Sequence, residues 1–287
     1  MNLSKQKQRQ IPKVSIGMPV YNAEKYLGDA IDALLMQTYS DFEIIISDNA
    51  STDGTASMCK QYAGKDSRIT FVQQSKNIGS IQNFQYVLDR AVGEYFMWAA
   101  ADDRRHKDFI KLALEVFDST VDCGLVFSDY ILKNLDTGES SYESIGMFNS
   151  RKSSKNYLMR LLSPCPLMIY GLHRTSIIKG LPLERYDFFD VHIVHFYTLS
   201  SIIKIIPLPL FVVGEVGESG RIPYSLTHKS INASIFLKKE RKMLFENFNF
   251  YVASFLYLIL RYFYFKNIRE LRKREASSAS LSEINAR

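Results

Sequence analysis

The sequence predicts an α/β protein, a mostly parallel sheet flanked by helices, ending in a helical tail suited to a membrane surface. Three observations predict it: short apolar runs alternate with amphipathic stretches, each early run stops at a polar turn, and the composition turns basic and aromatic near residue 236. Residues 14–20 (VSIGMPV) read as the first strand, and residues 24–37 as a helix with apolar positions at Ala30, Ile31, Ala33, Leu34 and Leu35. Residues 42–46 (FEIII) are nearly all apolar, as suits a strand covered on both faces. The alternation continues with a helix over 54–63, a strand over 69–72, a helix over 81–91 and a strand over 95–99. A helix over 108–117 and a strand over 124–130 follow. The polar stretch 134–149 reads as a surface hairpin or a mobile loop. Beyond it the expectations are a helix over 155–162, a strand over 167–172, a helix over 188–200, and strands over 202–213 interrupted by Pro207 and Pro209. One domain, 12–235, is expected, with halves 12–130 and 131–235, then a basic aromatic helical tail over 236–275 and a disordered end over 276–287.

At 287 residues and 46% hydrophobic content the chain can bury a core without staples. Cys59, Cys123 and Cys165 lie far apart with no Cys-x-x-Cys pair, which reads as reduced thiols in a cytoplasmic protein. Residues 1–13 are polar and basic, so no secretory signal is expected there. The net charge of +6 is local: residues 238–275 hold ten Lys or Arg against four Glu, and the rest holds twenty-six of each sign. That concentration argues against a nucleic-acid partner, which a basic folded face would serve. The eighteen residues 248–265 (FNFYVASFLYLILRYFYF) are marginal as a bilayer span, with Asn249, Ser254 and Arg261 inside. An interfacial helix on the anionic inner face of the cytoplasmic membrane is the leading expectation. A packing or homodimer helix and a true span are the alternatives.

The carboxyl ends of parallel strands are where such sheets bind ligands, and three polar clusters fall there: Pro19-Val20-Tyr21-Asn22, Ser47 to Gly54, and Ala100-Ala101-Asp102-Asp103. That is the layout of a nucleotide site. Asp102 and Asp103 supply oxygen ligands of the kind that Mn²⁺ or Mg²⁺ shares with substrate phosphates; the alternative is a capping pair for the next helix. Asp48 either accepts from a base or ribose donor or closes a turn. Ser51, Thr52 and Asp53 also read as an N-cap cluster. Tyr21 either stacks on a base or fills the core. His192 and His195 are spaced like a metal pair with no carboxylate evident to complete it, and His228 is a candidate for a closing lid.

In order, the blocks Pro19-x-Tyr21-Asn22, Gln37-Thr38-Tyr39-x-Asp41-Phe42-Glu43, Asp48-x-x-Ser51-Thr52-Asp53-Gly54-Thr55, Asn77-x-Gly79, Gly93-Glu94-Tyr95 and Asp102-Asp103 resemble family 2 glycosyltransferases, inverting enzymes with a GT-A fold. The likeness covers residues 12–130 closely and runs more loosely to about 213. It implies that Tyr21 and Asp48 contact the base and that Asp102 binds the metal, with Asp103 beside it. Pro19, Asn22, Asn77 and Ala101 complete the implied nucleotide contacts. The family usually carries another aspartate two residues before Asp102; here that position is Ala100. The implied catalytic base is Asp190, nineteen residues before Pro209-Leu210, with Asp187 second. The resemblance further implies transfer from a UDP- or dTDP-type sugar to a hydroxyl of a glycan or lipid-linked acceptor in cell-surface polysaccharide synthesis. A non-catalytic nucleotide-sugar scaffold is the alternative. A nucleotidyltransferase would want a Gly-rich basic loop after the first strand, which is lacking.

Overall fold

The computed structural model describes residues 11–146, 157–158, 165–181, 189–215, 226–249 and 251–261. They divide into two compact units that interleave along the chain. The first comprises Met1–Met147, Tyr170–Leu183 and Lys204–Glu215; the second comprises Phe148–Ile169, Glu184–Ile203 and Val216–Arg287.

The first unit holds a sheet of nine strands. Its elements are β1 (Val14–Val20), α1 (Glu24–Leu35), β2 (Phe42–Asp48), α2 (Thr55–Lys65), β3 (Ile69–Gln73), α3 (Ser80–Arg90), β4 (Tyr95–Trp98), β5 (Arg104–Arg105), α4 (Phe109–Ser119), β6 (Cys123–Asn134), β7 (Ser140–Glu143), β8 (Leu172–Arg174), α5 (Thr175–Ile178) and β9 (Ile202–Glu215). The strand order is β3-β2-β1-β4-β8-β6-β9-β5, with β7 on β6. β1, β2, β3 and β4 pair in parallel. β8 then joins β4 and β6 antiparallel, and β5 joins β9 the same way. The sheet is thus mixed: the alternating strand-helix half is parallel as expected, and the later strands reverse direction.

Burial explains the composition of β1. Val14, Ile16, Met18 and Val20 share one face of β1 and are buried in one cluster with Leu27, Ile31 and Leu34 of α1 and with Phe109, Ile110 and Ala113 of α4. Gly17 is required there, since a Cβ would stand 2.7 Å from Val87 Cγ2 and 2.8 Å from Phe96 Cζ. β1 pairs with β4 only as far as Gly17 and Trp98, so the donor that Pro19 lacks would have faced a ladder already ended. Gln37 is buried at the end of α1, where its Nε2 donates to His106 O (2.8 Å) and its Oε1 accepts from Ile110 N (3.1 Å). That pair of bonds fixes the start of α4.

Two expectations for the later strands need correction. Residues 167–172 are not one strand: Pro166–Tyr170 form a 3₁₀ turn, closed by Met168 N–H on Cys165 O (3.2 Å), and the strand is only Leu172–Arg174. Proline is at home in a first turn, where its missing N–H has no partner to lose. β9 runs unbroken through Pro207 and Pro209, because two prolines two residues apart deprive the same strand edge of donors. Residues 134–143 form the hairpin alternative, with Gly138 at φ 79° in its turn.

The second unit contains α6 (Phe189–Ser200), α7 (Leu226–Asn247) and a helix over 251–261. Tyr157, Leu199, Leu237, Met243, Leu244, Ala253, Leu256 and Leu260 form its core. The aromatic stretch 248–265 is therefore not one continuous helix. α7 ends at Asn247, and Asn249 starts the next helix by accepting Val252 N–H on its side-chain oxygen (3.1 Å) and Ala253 N–H on its carbonyl (2.9 Å). Among the described residues no helix is long and apolar enough to cross a membrane.

One buried charge organises this core. Glu240 on α7 is fully buried, and its carboxylate accepts from His192 Nδ1 (2.6 Å), His195 Nδ1 (3.0 Å) and the Tyr157 hydroxyl. A carboxylate only accepts, so both imidazoles carry their proton on Nδ1 when neutral. Burial pushes the Glu240 carboxyl up, but the two histidines outweigh it and hold it down at about 2. A depressed carboxyl contributes stability that is present above its ordinary value near 4.5 and lost as pH falls from there toward 2. Glu240→Gln should cost about 3 kcal/mol and lower the melting temperature by roughly 5–10 °C at neutral pH. Calorimetric melts from pH 7 to 3 should show the wild-type advantage shrinking as pH falls below the ordinary glutamate value.

Candidate active site

The parallel register brings two turns to one level, because Val20 lies opposite Asp48. Neither turn can continue the ladder, so side chains satisfy their backbone. Asn22 N–H donates to Ser51 Oγ (2.9 Å), and Asn22 Oδ1 accepts from Thr52 N–H (2.9 Å). Ser51 in turn donates its hydroxyl, and its N–H at 3.2 Å, to Asp48 Oδ1. Asn49 N–H closes on Val20 O (2.9 Å). Both turns contain a non-glycine residue at positive φ, Asn22 at 47° and Ala50 at 60°. Such backbone persists where surrounding bonds over-determine it, and it clusters at functional sites.

The same web reaches the loop before α3. Asn49 Nδ2 donates to Asn77 Oδ1 (3.0 Å), Asn49 Oδ1 accepts Ile78 N–H (2.8 Å), and Gly79 N–H donates to Asn77 Oδ1 (2.9 Å). The structure therefore brings Pro19, Asn22, Asp48 and Asn77 together around one edge. Tyr21 stands there 49% exposed, so it does not fill the core. Asp53 takes the capping role, accepting Thr55 N–H (3.0 Å) and Glu24 N–H (3.2 Å), while Gly54 occupies the cap position of α2. Ser51 and Thr52 are instead bound into the turn web.

The third turn lies between β4 and β5. Ala101 packs on the main core, Asp102 is half-buried and Asp103 is buried. Burial raises the Asp102 carboxyl, and its own backbone N–H is the one group that draws it back. Asp103 is pushed up to about 7 by burial and then by Asp102, against the pull of Arg105 and the Gly214 N–H, which donates at 3.1 Å. Neither caps α4, whose cap position is Asp108. Two residues that the sequence reading passed over build this turn. Gly214 on β9 lies so close that a Cβ there would collide with the Asp102 carbonyl oxygen. Arg105 is buried with its guanidinium 3.5 Å from the centre of the Phe211 ring, and it donates to Tyr170 O. The Asp-Asp-Arg-Arg run was the available signal for Arg105; nothing local marks Gly214.

Among the described residues no group of three His, Cys, Asp or Glu is placed to hold a metal ion. The donor set still fits a phosphate-bound divalent cation, which needs only one or two carboxylates from the protein. Asp102, partly desolvated and, among the described residues, drawn back by its own backbone N–H alone, suits that part. Asp103, committed to Gly214 N–H and facing Arg105, is better placed to support the turn.

In the second unit Asp190 sits in the first turn of α6, half-buried, with Oδ1 accepting Val191 N–H (2.8 Å). Burial raises its carboxyl, while the local backbone N–H groups and the His195 charge draw it back. His192 and His195 do meet a carboxylate, Glu240, but through the Nδ1 atoms that bond it, which makes a buried hydrogen-bonded core of them. Asp187 and the side chain of His228 lie outside the described residues.

Comparison with known proteins agrees with this geometry. The profile described as "Glycosyl transferase family 2" matches residues 15–172, more than half of the chain. TuaG of Bacillus subtilis, a glycosyltransferase named for teichuronic acid biosynthesis, is 36% identical over 125 residues, 44% of this chain and 49% of its own length. Glycosyltransferase GlyA of Streptococcus pneumoniae is 31% identical over 241 residues, 80% of this chain and 31% of its own length. The chain thus matches half or less of these relatives. The crystal structure of Staphylococcus aureus TarS 1–349 in complex with UDP-GlcNAc superposes with a TM-score of 0.62 at 20% identity, covering 82% of this chain and 66% of that one. That likeness speaks for the fold, GT-A. With the family profile over more than half of the sequence and a relative above 30% identity across most of it, the chain belongs to glycosyl transferase family 2.

Proposed function

We propose that this glycosyltransferase moves a sugar, with inversion, from a UDP- or dTDP-type donor to a hydroxyl of a glycan or lipid-linked acceptor in polysaccharide biosynthesis. The observation that carries the reading is the turn web at the ends of β1 and β2 together with the uncompensated Asp102 carboxylate after β4. The web presents exposed Tyr21 and a bonded backbone to a planar base, and Asp48, assigned to a base or ribose donor, is buried behind it with both oxygens bonded to Ser51 and further lone pairs to offer. Known proteins lend the substrate class: TarS is solved with UDP-GlcNAc, and TuaG is named for teichuronic acid biosynthesis.

A divalent Mn²⁺ or Mg²⁺ held at Asp102 would neutralise the diphosphate leaving group. The remaining work falls to side chains. Asp103 and Gly214 fix the peptide that aims Asp102, and Arg105 offsets the buried negative charge beside it. Ala100 leaves the ribose to other groups, with Asp48 and the backbone of Ala101 the nearest candidates in kind. Inversion needs one carboxylate to take the proton of the attacking hydroxyl. Asp190 is assigned that part, and a carboxyl raised by burial is the better base for it.

A thermal-shift screen of nucleoside-diphosphate sugars with Mn²⁺ identifies the donor, since a bound ligand raises the melting temperature. With that donor, Asp102→Ala should abolish the gain in nucleotide affinity that Mn²⁺ gives the wild type in calorimetric titrations; an unchanged gain would remove Asp102 from the metal site. Asp190→Asn should lower turnover by roughly 10² to 10⁴-fold while nucleotide binding stays as in the wild type. Turnover retained with nucleotide affinity lost would assign Asp190 to donor binding instead. A wild type that releases no nucleoside diphosphate from any donor over hours would favour the scaffold alternative.

A further inference from the structure

The helix over 251–261 has two apolar sides. At about 100° per residue, Ala253, Leu256 and Leu260 share one side within an arc of about 60°, and Tyr251, Phe255 and Leu258 share the opposite one. The first set is buried in the core of the second unit. The second set is 84%, 58% and 63% exposed. A helix that only closed a core would carry polar residues on its outer side.

We infer that the outward face of this helix, Tyr251, Phe255 and Leu258, is a docking surface for an anionic lipid bilayer, which it meets lying along the headgroup boundary. Charge singles out that occupant. Lys238, Arg241 and Lys242 are exposed on the preceding helix α7, whose Leu237, Glu240, Met243 and Leu244 face the shared core. Arg261 is exposed at the end of the docking helix, and Lys266, Arg269, Arg272, Lys273 and Arg274 follow in the sequence. Three exposed aromatic or aliphatic side chains, with basic residues before and after them in the sequence, suit the boundary between headgroups and acyl chains. Aromatic rings are at home at that depth. A second copy of the chain fits poorly: three side chains fall far short of the roughly 800 Å² per partner of a stable interface. The inference is independent of the proposed chemistry, which lies in other residues.

Truncation is the wrong test, because cutting the chain after residue 237 would remove Met243, Leu244, Ala253, Leu256 and Leu260 from the core. The full chain is instead spun down with vesicles of phosphatidylcholine alone or mixed with phosphatidylglycerol. Wild type should partition onto the anionic vesicles, and raised salt should weaken it. Phe255→Ser/Leu258→Ser and, separately, Arg241→Glu/Lys242→Glu should each weaken partition by roughly tenfold or more. Phe255 and Leu258 face outward, so melts of that variant should remain those of the wild type; Arg241→Glu/Lys242→Glu also loses the Lys242–Glu246 ion pair, so its partition is measured well below its own melting temperature. Equal partition onto neutral and anionic vesicles, or unchanged partition of the apolar double variant, overturns the inference. So does a wild type that stays in the supernatant, or a dimer in sedimentation velocity that the apolar substitutions convert to monomer without change in vesicle binding.

Discussion

The candidate donor site depends on the parallel register of β1 with β2, which sets Val20 opposite Asp48 and ends both strands at one level. Parallel strands need crossover helices, so each strand must stop and turn away at the same edge of the sheet. The backbone groups released there have no ladder left to join. Asn22, Asp48, Asn49 and Ser51 satisfy them, and in doing so they hold Asn22 and Ala50 at positive φ. A rim built this way is rigid before any ligand arrives, which lowers the ordering that binding demands.

The antiparallel strands contribute differently. β9 brings Gly214 against the peptide of Asp102 and Asp103, and Arg105 lies packed between Phe211 and Phe109. No side chain larger than hydrogen fits at Gly214, so the third turn has its backbone fixed by a strand more than a hundred residues later, through the bond from Gly214 to Asp103. The first two turns are held by neighbours close in the parallel half, and the third is held from across the mixed half of the sheet.

That difference decides what could be read in the chain. The alternation of strand and helix over residues 14–119 was legible because periodicity and polar turns are local signals, and so were the three clusters at the strand ends. Gly214 and Glu240 act through contacts formed only on folding, and no spacing announces them; Arg105 had only the Asp-Asp-Arg-Arg run to mark it. Glu240 is the clearest case: His192 and His195 stand one turn apart in plain view, while the carboxylate that explains them comes from another helix. Local exceptions misled as well. Pro166 opened a turn inside an expected strand, Pro207 and Pro209 were absorbed on one strand edge, and Asn249 divided an aromatic run that composition alone made continuous.

The two buried acidic sites obey opposite economies, and the contrast bears on function. Glu240 is surrounded by donors from two histidines and a tyrosine, so its charge is settled within the protein and holds helices together. Asp102 is drawn down by nothing beyond its own backbone N–H, and Asp103 beside it has one amide and one guanidinium against two unfavourable effects. A desolvated carboxylate left uncompensated weakens the folded state, and a protein built only for stability would pair it or replace it. Strain of that kind is tolerated where a ligand relieves it, and a cation shared between Asp102 and a diphosphate is the relief the proposed reading supplies. The compensated site therefore belongs to the architecture of the second unit, and the uncompensated one, on the proposed reading, to the chemistry of the first.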